Sequence, residues 1–387
     1  MHLPDTFYQR VRTRLTERLA DERLDGVLVT APGDVAYLAG FFYAVTERPV
    51  YLWLGADGEA VLLVPELDAE YAEAQGVHAT LRTYWEYPGT STPESHLVGV
   101  VPPRARVGVT GSLTTGAAVA LRSALPGAEL VATSAVAQLR LRKEPEELVF
   151  HRQAAEVCDE MLAVGREMVQ TAVAEGGLLP TEGDLARHVI GHGTDQMYRR
   201  YDHVVYTTKL AGALVYAGPN AARPHGLPSR RRLQRGDTFI LSLGAAAASR
   251  FVESERTFVL GEPTEQQRHL FEVVQRAQQV GTEAMVVGRS CASVNQECLD
   301  VIRDAGLGGY LRHRQGHGIG IGQHEPPWVE DGDLTILAPG MVLSSEPGVY
   351  VPGHAGYRIS DTVLVTDAGP ERLTRYPRSL EENVIAT

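Results

Sequence analysis

The hydrophobic pattern of the first part of the chain alternates between helix-like and strand-like segments. Apolar residues at helical spacing predict an amphipathic helix over residues 7–24, and ELDAEYAEAQG and TGAAVALRSAL are also helical in pattern. Two apolar runs flank the turn at residues 56–58 and predict a β-hairpin, while ARVGVTG and AELVAT are typical of buried strands. Strands that alternate with helices predict a mixed α/β domain over residues 1–137.

A second domain is predicted over residues 138–387, where long helices and paired strands take over. Pro145 stands in the first turn of a long periodic run, a position where proline is tolerated. Thr264 and Gln267 form a capping box at the start of a further helix. Together the two domains predict an α+β protein.

The second domain contains a weak internal echo. RGDTFILSLG at 235–244 resembles PGMVLSSEPG at 339–348, and each precedes a second strand, RFVESERTFVL or YRISDTVLVT. Two interpretations stay open. The pattern of glycine followed by an apolar strand can recur by chance, or a duplicated unit can place two hairpins face to face.

Composition narrows the classes of function. A net charge of -12 argues against a nucleic-acid surface and against an anionic membrane as partners. The charged N-terminus contains no apolar run typical of a signal peptide, and no stretch is long enough to span a bilayer, so we expect a cytoplasmic protein. The three cysteines, Cys158, Cys291 and Cys298, lie on helical segments and are predicted to be buried, reduced thiols.

Two carboxylates on one predicted strand raise the question of a compensating cation. Glu253 and Glu255 are two residues apart, so their side chains point to the same face of the strand. Two anions on one apolar face repel each other unless a cation or a proton lies between them. From these residues alone the cation can be a metal ion, a substrate or the solvent.

Further candidates for chemistry follow in RQGHGIGIGQHEPPW, which holds His317 and His324 among glycines that allow close backbone approach. Glu346 ends a nearby apolar strand, and His225 lies in a proline-containing loop before the first hairpin. The histidines can equally be hydrogen-bonded loop residues, and Glu346 can be an exposed strand end.

Several motifs in order resemble the M24 peptidase family, with its pita-bread fold. The motifs are ARPHGLPSRRRLQRGD, ERTF, GEPTEQQ, GHGIGIGQHEPP, PGMVLSSEPG and GYRISDTVLVT, and LDGVLVTAPGDVAYLAGF resembles the N-terminal domain of creatinase and prolidase. The resemblance implies this N-terminal domain over 1–137, a pita-bread catalytic domain over 138–387 and, as is common in the family, a homodimer.

The family's peptidases bind two metal ions through two aspartates, one histidine and two glutamates. By resemblance these positions are Ser242, Glu253, His317, Glu346 and Ser360 in this chain. Two anionic ligands are thus replaced by serine and one aspartate by glutamate, and serine supplies neither charge nor bridge between two cations. The altered pattern resembles creatinase, the metal-free branch, and implies no cofactor, or else a single Zn, Mn or Co ion.

The same resemblance implies roles for individual residues. His225 matches the acid/base histidine of creatinase, and His317 and His324 complete the predicted catalytic group. The predicted substrate-binding residues are Glu253, Glu255, Glu346 and Arg358. In this hypothesis the cation between the carboxylates is mainly the substrate, and Arg358 holds a substrate carboxylate.

Three functions remain open on this basis. The first is hydrolysis of an amide or amidine C–N bond in a small cationic or zwitterionic substrate, without the usual two-metal centre. The second is an Xaa-Pro dipeptidase or aminopeptidase with a single altered metal site. The third is a non-catalytic relative that binds a small molecule. In each case the expected partner is a small molecule or a dipeptide, with no nucleic acid and no membrane.

Overall fold

The computed structural model describes residues 1–387 and divides into two compact units. One unit contains residues 2–140 with 205–207, and the other contains Met1, residues 141–204 and 208–387. Both units contain helices and strands, which agrees with the predicted α+β class. The chain passes from one unit to the other between residues 140 and 141. The boundary after residue 137 stays a prediction.

The N-terminal unit is built on one six-stranded sheet with the order β4-β3-β2-β1-β5-β6. The predicted hairpin is confirmed as β2 and β3, which pair antiparallel, whereas β5 pairs parallel with both β1 and β6. The strands and helices are β1 Gly26–Val29, β2 Tyr51–Gly55, β3 Ala60–Pro65, β4 Thr80–Tyr84, β5 Arg106–Val109, β6 Glu129–Ala132, α1 Asp5–Asp21, α2 Pro32–Ala39, α3 Ala69–Ala74, α4 Thr115–Ala124 and α5 Ala135–Arg140.

The C-terminal unit contains three sheets, with the orders β17-β9-β8-β7, β11-β10-β12-β15-β16 and β13-β14. Its helices are α6 Pro145–Ala174, α7 Glu182–Arg200, α8 Glu265–Glu283, α9 Cys291–Asp304 and α10 Leu380–Asn383. Its strands are β7 Ala211–Ala217, β8 Thr238–Ala247, β9 Arg250–Leu260, β10 Gly316–Gly318, β11 Glu325–Val329, β12 Val342–Ser345, β13 Gly348–Val351, β14 Ala355–Arg358, β15 Asp361–Thr366, β16 Gly369–Arg372 and β17 Val384–Ile385.

The helix starts follow the sequence signals. Helix α6 begins at Pro145, and Glu144 with Glu147 forms a capping box in front of it. Helix α8 begins after Thr264, whose side chain accepts from the main-chain N–H of Gln267, so this predicted capping box is confirmed. Each box satisfies main-chain donors that the first turn of a helix leaves unpaired.

Two of the sheets meet at Glu255 of β9 and Ser360, the residue before β15. Their main chains exchange two hydrogen bonds, of 3.0 and 3.1 Å. The guanidinium of Arg256 donates to the carbonyls of both residues, at 2.8 and 2.7 Å, and forms a fully buried ion pair of 2.7 Å with Asp361. The strand pairs β8–β9 and β12–β15 are therefore neighbours, as the facing-hairpin interpretation of the internal echo requires.

Two further sequence predictions concern the helices. The thiols of Cys158, Cys291 and Cys298 are free and buried, as predicted. No helix combines the length and the apolar character needed to cross a bilayer.

A buried histidine joins α6 to β9. Nδ1 of His151 donates to the carbonyl of Phe251 at 2.8 Å, and its side chain is fully buried. Burial, with a smaller contribution from the charge of Lys143, lowers the pKa of His151 to about 3. The imidazole is therefore neutral in the folded protein at neutral and mildly acidic pH.

This depressed pKa predicts a loss of stability on acidification. Unfolded His151 takes up a proton below about pH 6.5, but the folded side chain does not, so the free energy of unfolding falls as pH drops from about 6.5 toward 3. The loss should reach roughly 2 kcal/mol at pH 5. Urea unfolding of His151→Gln should lack this part of the pH dependence, whereas the exposed control His188→Gln should retain it. An unchanged pH dependence in His151→Gln would contradict this origin.

Candidate active site

The predicted site residues surround one cavity of about 590 Å³ in the C-terminal unit. Its walls are one face of β7, β8 and β9, the segment 313–330, and the ends of β12 and β14. Ser360 lies behind the wall and donates to Oε1 of Glu253 at 3.0 Å. The other predicted residues line the cavity directly: His225, Ser242, Glu253, Glu255, His317, His324, Glu346 and Arg358.

His317 lies at the centre of a carboxylate cluster. Strand β10 approaches β12 so closely that a Cβ at Gly316 would lie 2.1 Å from the carbonyl oxygen of Ser344. This approach places Nε2 of His317 3.1 Å from Glu346 and 3.6 Å from Glu253. Nδ1 donates to the carbonyl of Gly318 at 3.0 Å, which orients the ring with Nε2 toward the carboxylates.

The charges of this cluster are strongly coupled. Burial raises the pKa of Glu253 to about 8, and the carboxylate of Glu346 adds to the rise. Burial opposes protonation of His317, but Glu253 and Glu346 outweigh it and raise the pKa of His317 to about 9. Burial acts to raise the pKa of Glu346, yet the hydrogen bond and charge of His317 hold it far below its usual range. Without a metal ion, the positive charge of the cluster therefore resides on His317.

The cation beside Glu255 belongs to the protein itself. Ser242 and Glu255 are direct partners across β8 and β9, and the serine hydroxyl donates to the carboxylate. Nε of Arg358 pairs with the same carboxylate, and both side chains are almost fully buried. Nη1 of Arg358 lies 3.2 Å from the hydroxyl of Tyr350. The positive charge that offsets Glu255 is thus the guanidinium of Arg358.

The other two predicted histidines lie nearer the opening of the cavity. The ring of His324 lies against that of His317, with centroids 3.9 Å apart. Burial and the charge of His317 lower the pKa of His324 to about 4, so this imidazole is neutral and keeps a lone pair for a ligand. His225 is exposed on the cavity wall, in the loop that follows the 3₁₀ turn Gly218–Ala222.

The structure adds cavity residues that the sequence analysis missed. Nε2 of His313 lies 2.8 Å from the hydroxyl of Tyr350, and Nδ1 donates to the carbonyl of Arg314 at 2.8 Å. No motif distinguished His313 from other loop histidines. One further lining residue, Lys209, could have been singled out from the sequence, because lysine is rare in this chain. The remaining polar lining residues are Arg314, Gln323 and Glu330.

The donor set fits one divalent ion. Ligand atoms of Glu253, His317 and His324 all lie within 4.8 Å of one another. His317 donates its other ring N–H to a main-chain carbonyl, the usual support of a metal-binding imidazole. The hydroxyls of Ser242 and Ser360 donate to the carboxylates of Glu255 and Glu253.

Comparisons with known proteins identify the family of this chain. The family description "Metallopeptidase family M24" matches residues 150–367, and "Creatinase/Prolidase N-terminal domain" matches residues 12–142. The chain belongs to metallopeptidase family M24, and it is a hydrolytic enzyme of that family.

Individual relatives extend the comparison over the whole chain. An Xaa-Pro dipeptidase of Lactobacillus delbrueckii is 30% identical over 375 residues, covering 95% of this chain and 97% of the relative. The crystal structure of prolidase from Pyrococcus horikoshii has a TM-score of 0.84 at 26% identity and covers 96% of this chain and 99% of that one. Dipeptidase PepE from Mycobacterium ulcerans has a TM-score of 0.86 at 28% identity, with both chains fully covered.

The expectation that no cofactor is needed is wrong. The matching family is one of metallopeptidases, and Glu253, His317 and His324 together can hold a metal ion. The sequence argument considered only the five inherited positions and the serines at two of them. It placed His324 in the catalytic group and did not count it as a metal ligand, but the fold brings this residue against His317 from seven residues further along the chain.

The buried pair of Glu255 and Arg358 predicts strong energetic coupling. Glu255→Gln and Arg358→Met each leave one buried charge unpaired, so each should lower the free energy of unfolding by about 3–5 kcal/mol. The double variant removes both charges and should lose at least about 2 kcal/mol less than the two single losses combined. Urea unfolding of the four proteins measures this coupling.

An exposed ion pair provides the matched control for this cycle. Asp300 and Arg303 approach to 2.7 Å on the surface of α9, and their coupling should stay below about 1 kcal/mol. Additive losses for Glu255→Gln and Arg358→Met would contradict the pairing.

Proposed function

We propose that this chain is a dipeptidase of the Xaa-Pro type that works with one divalent ion in place of a two-metal centre. The observation that carries the proposal is the cluster of Glu253, His317 and His324, which offers three ligands within 4.8 Å. Three protein ligands are sufficient for a catalytic zinc ion with one open position. The Xaa-Pro dipeptidases among its full-length relatives support the substrate class.

The formal charge of the cavity supports a single ion. Next to the ligand cluster, Glu253, Glu255 and Glu346 contribute three negative charges when ionised and Arg358 contributes one positive charge, while Arg314 and Glu330 offset each other and Lys209 is exposed at the outer wall. One divalent ion balances the remainder, whereas two would leave an excess of positive charge in a buried site, which is costly. We therefore propose that Glu255 serves Arg358 and does not bind a cationic substrate.

The protein's own groups supply the remaining chemistry. The carboxylate of Glu346 lies 3.1 Å from Nε2 of His317, beside the ligand cluster, and can accept a proton from attacking water. His225 is exposed to the cavity and can donate a proton to the leaving nitrogen. When bound, a divalent ion polarises the scissile carbonyl and lowers the pKa of water. A homodimer and a cytoplasmic location stay predictions from the sequence.

Metal content tests the single-ion proposal. Elemental analysis of protein purified with Zn, Mn or Co should give close to one equivalent per chain, and a chelator should remove both the metal and the activity. His324→Gln should weaken metal binding by at least about tenfold, because it removes one of three ligands. The matched control His313→Gln should keep the metal, since that ring hydrogen-bonds Tyr350 outside the ligand cluster.

Restoring the metal ligands of the family's two-metal peptidases tests the same proposal in the opposite direction. The triple change Ser242→Asp, Glu253→Asp and Ser360→Glu should raise the metal content toward two equivalents. Two equivalents in the unmodified protein would contradict the single-ion proposal.

The loop histidine at the cavity opening should be required for turnover. His225→Ala should lower kcat for an Xaa-Pro dipeptide by about 10²–10⁴-fold, the usual contribution of a general acid or base. Metal content and the urea midpoint should not change, because His225 is exposed and outside the ligand cluster. His188→Ala on the exposed side of α7 is the control. An unchanged kcat in His225→Ala would rule out the proposed role.

A further inference from the structure

Lysine is rare in this chain, and both copies occupy special positions. Of 36 basic residues only Lys143 and Lys209 are lysines, so nearly every surface cation is an arginine. Lys143 is buried, and its ammonium lies 3.0 Å from Glu325. Lys209 is exposed at the wall of the active-site cavity and carries no hydrogen bond or ion pair to the protein. A cation without a counter-ion in this cavity is available to an anionic ligand.

The side chain of Lys209 lies across the start of strand β7, beside Gly212. A Cβ built on Gly212 would lie 2.9 Å from Nζ of Lys209 and 3.2 Å from its Cδ. The absence of a side chain at Gly212 therefore makes room for the ammonium at the cavity wall. Any larger residue there would have to displace it.

A row of glycines connects this ammonium to the ligand cluster. Gly212 of β7 pairs with Gly244 of β8, and Gly244 pairs with Glu253 of β9. Direct partners in antiparallel strands are about 4.5–5.5 Å apart, so the row spans roughly 10 Å from the Lys209 end to Glu253. This row, from Gly212 through Gly244 to Glu253, forms a trough in the cavity wall. The amide of Gln323 borders the trough, 3.9 Å from the Cβ position of Gly244.

The length of this trough matches a dipeptide. An extended chain spans at most about 3.3–3.6 Å per residue, so two residues cover roughly 7 Å between the scissile region and the terminal carboxylate, and the flexible lysine covers the remainder. In a longer peptide, the ammonium of Lys209 would meet the peptide main chain at the point where a dipeptide has its terminal carboxylate.

The other cations of the cavity are already engaged. Arg358 pairs with Glu255 and contacts Tyr350. Arg314 pairs with Glu330 at 2.9 Å and lies 4.2 Å above the ring of Trp328. Lys209 is the remaining side-chain cation in the cavity that has no acidic partner.

We propose that Lys209 binds the terminal carboxylate of the substrate and thereby selects dipeptides with a free carboxyl end. The proposal rests on the proposed dipeptidase function for its substrate class. It replaces Arg358, whose guanidinium is committed to Glu255, as the carboxylate anchor of this site.

Binding of an uncleavable ligand tests the anchor independently of turnover. The probes are a Xaa-Pro dipeptide whose peptide bond is reduced to a methylene-amine, and the same compound with a terminal amide. Calorimetry on the metal-loaded protein should show that the acid binds at least about tenfold more tightly than the amide, since only the acid offers the ammonium a charged hydrogen-bond acceptor.

Substitutions at the trough should remove this preference. Lys209→Met should bind acid and amide with equal affinity, and Lys209→Arg should recover part of the preference. Gly212→Ala should also reduce the preference, because it displaces the ammonium without removing its charge. Arg230→Met, an exposed cation outside the cavity, is the control and should behave as the unmodified protein. A preference that survives Lys209→Met, no preference in the unmodified protein, or no binding of either probe would each overturn the proposal.

Chemical labelling of the unmodified protein supplies a second readout. Because Lys143 is buried, an amine-reactive acylating reagent should modify Lys209 first among the lysines, and peptide mapping separates it from the N-terminus. The dipeptide acid should protect Lys209 and the amide should not. Equal protection by both would overturn the proposal. Failure of the dipeptidase proposal would instead appear as binding and protection by the uncleavable acid with no hydrolysis of the corresponding unreduced dipeptide.

Discussion

The exchange of hydrogen bonds between Glu255 and Ser360 is the constraint on which the site depends. It joins the β8–β9 pair to the β12–β15 pair, and the buried guanidinium of Arg256 fixes both carbonyls while it pairs with Asp361. A buried ion pair requires good geometry to offset the cost of desolvation, so this junction allows few alternative registers. The carboxylates of β9 and the end of β12 are therefore held over one cavity.

Charge compensation within this junction supports the proposal of a single ion. The negative charge absent from Ser242 reappears directly across the ladder at Glu255, where Arg358 neutralises it. Ser360 becomes a donor to Glu253, so that carboxylate is supported from behind. The proposed ligands Glu253 and His317 lie together, and His324 approaches them from the adjoining loop.

The elements that depend on local signals could be predicted from the sequence. The hairpin of β2 and β3, the capping box at Thr264 and the positions of His317 and Glu346 follow from patterns within a few residues or from motif order. The family and its two-domain class follow from the same motifs.

The contacts that define the chemistry could not be predicted in this way. The turn between β8 and β9 uses Ala248 and Ser249 with positive φ, in a sequence without the glycine or asparagine that usually announces such a turn. The pairing of Ser242 with Glu255 depends on that turn. The pairing of Arg358 with Glu255 depends on the junction between the two sheets, which the hydrophobic periodicity of the sequence does not indicate. The cofactor prediction failed because the contact that brings His324 to His317, and makes it a candidate ligand, is tertiary.

Electron paramagnetic resonance of the Mn(II)-loaded protein tests the central claim most directly. A site built from Glu253, His317 and His324 holds one ion, so the spectrum should be that of isolated, magnetically uncoupled Mn(II) at every metal ratio up to saturation. A spectrum of exchange-coupled manganese at saturation would show two ions sharing bridging ligands and would contradict the account.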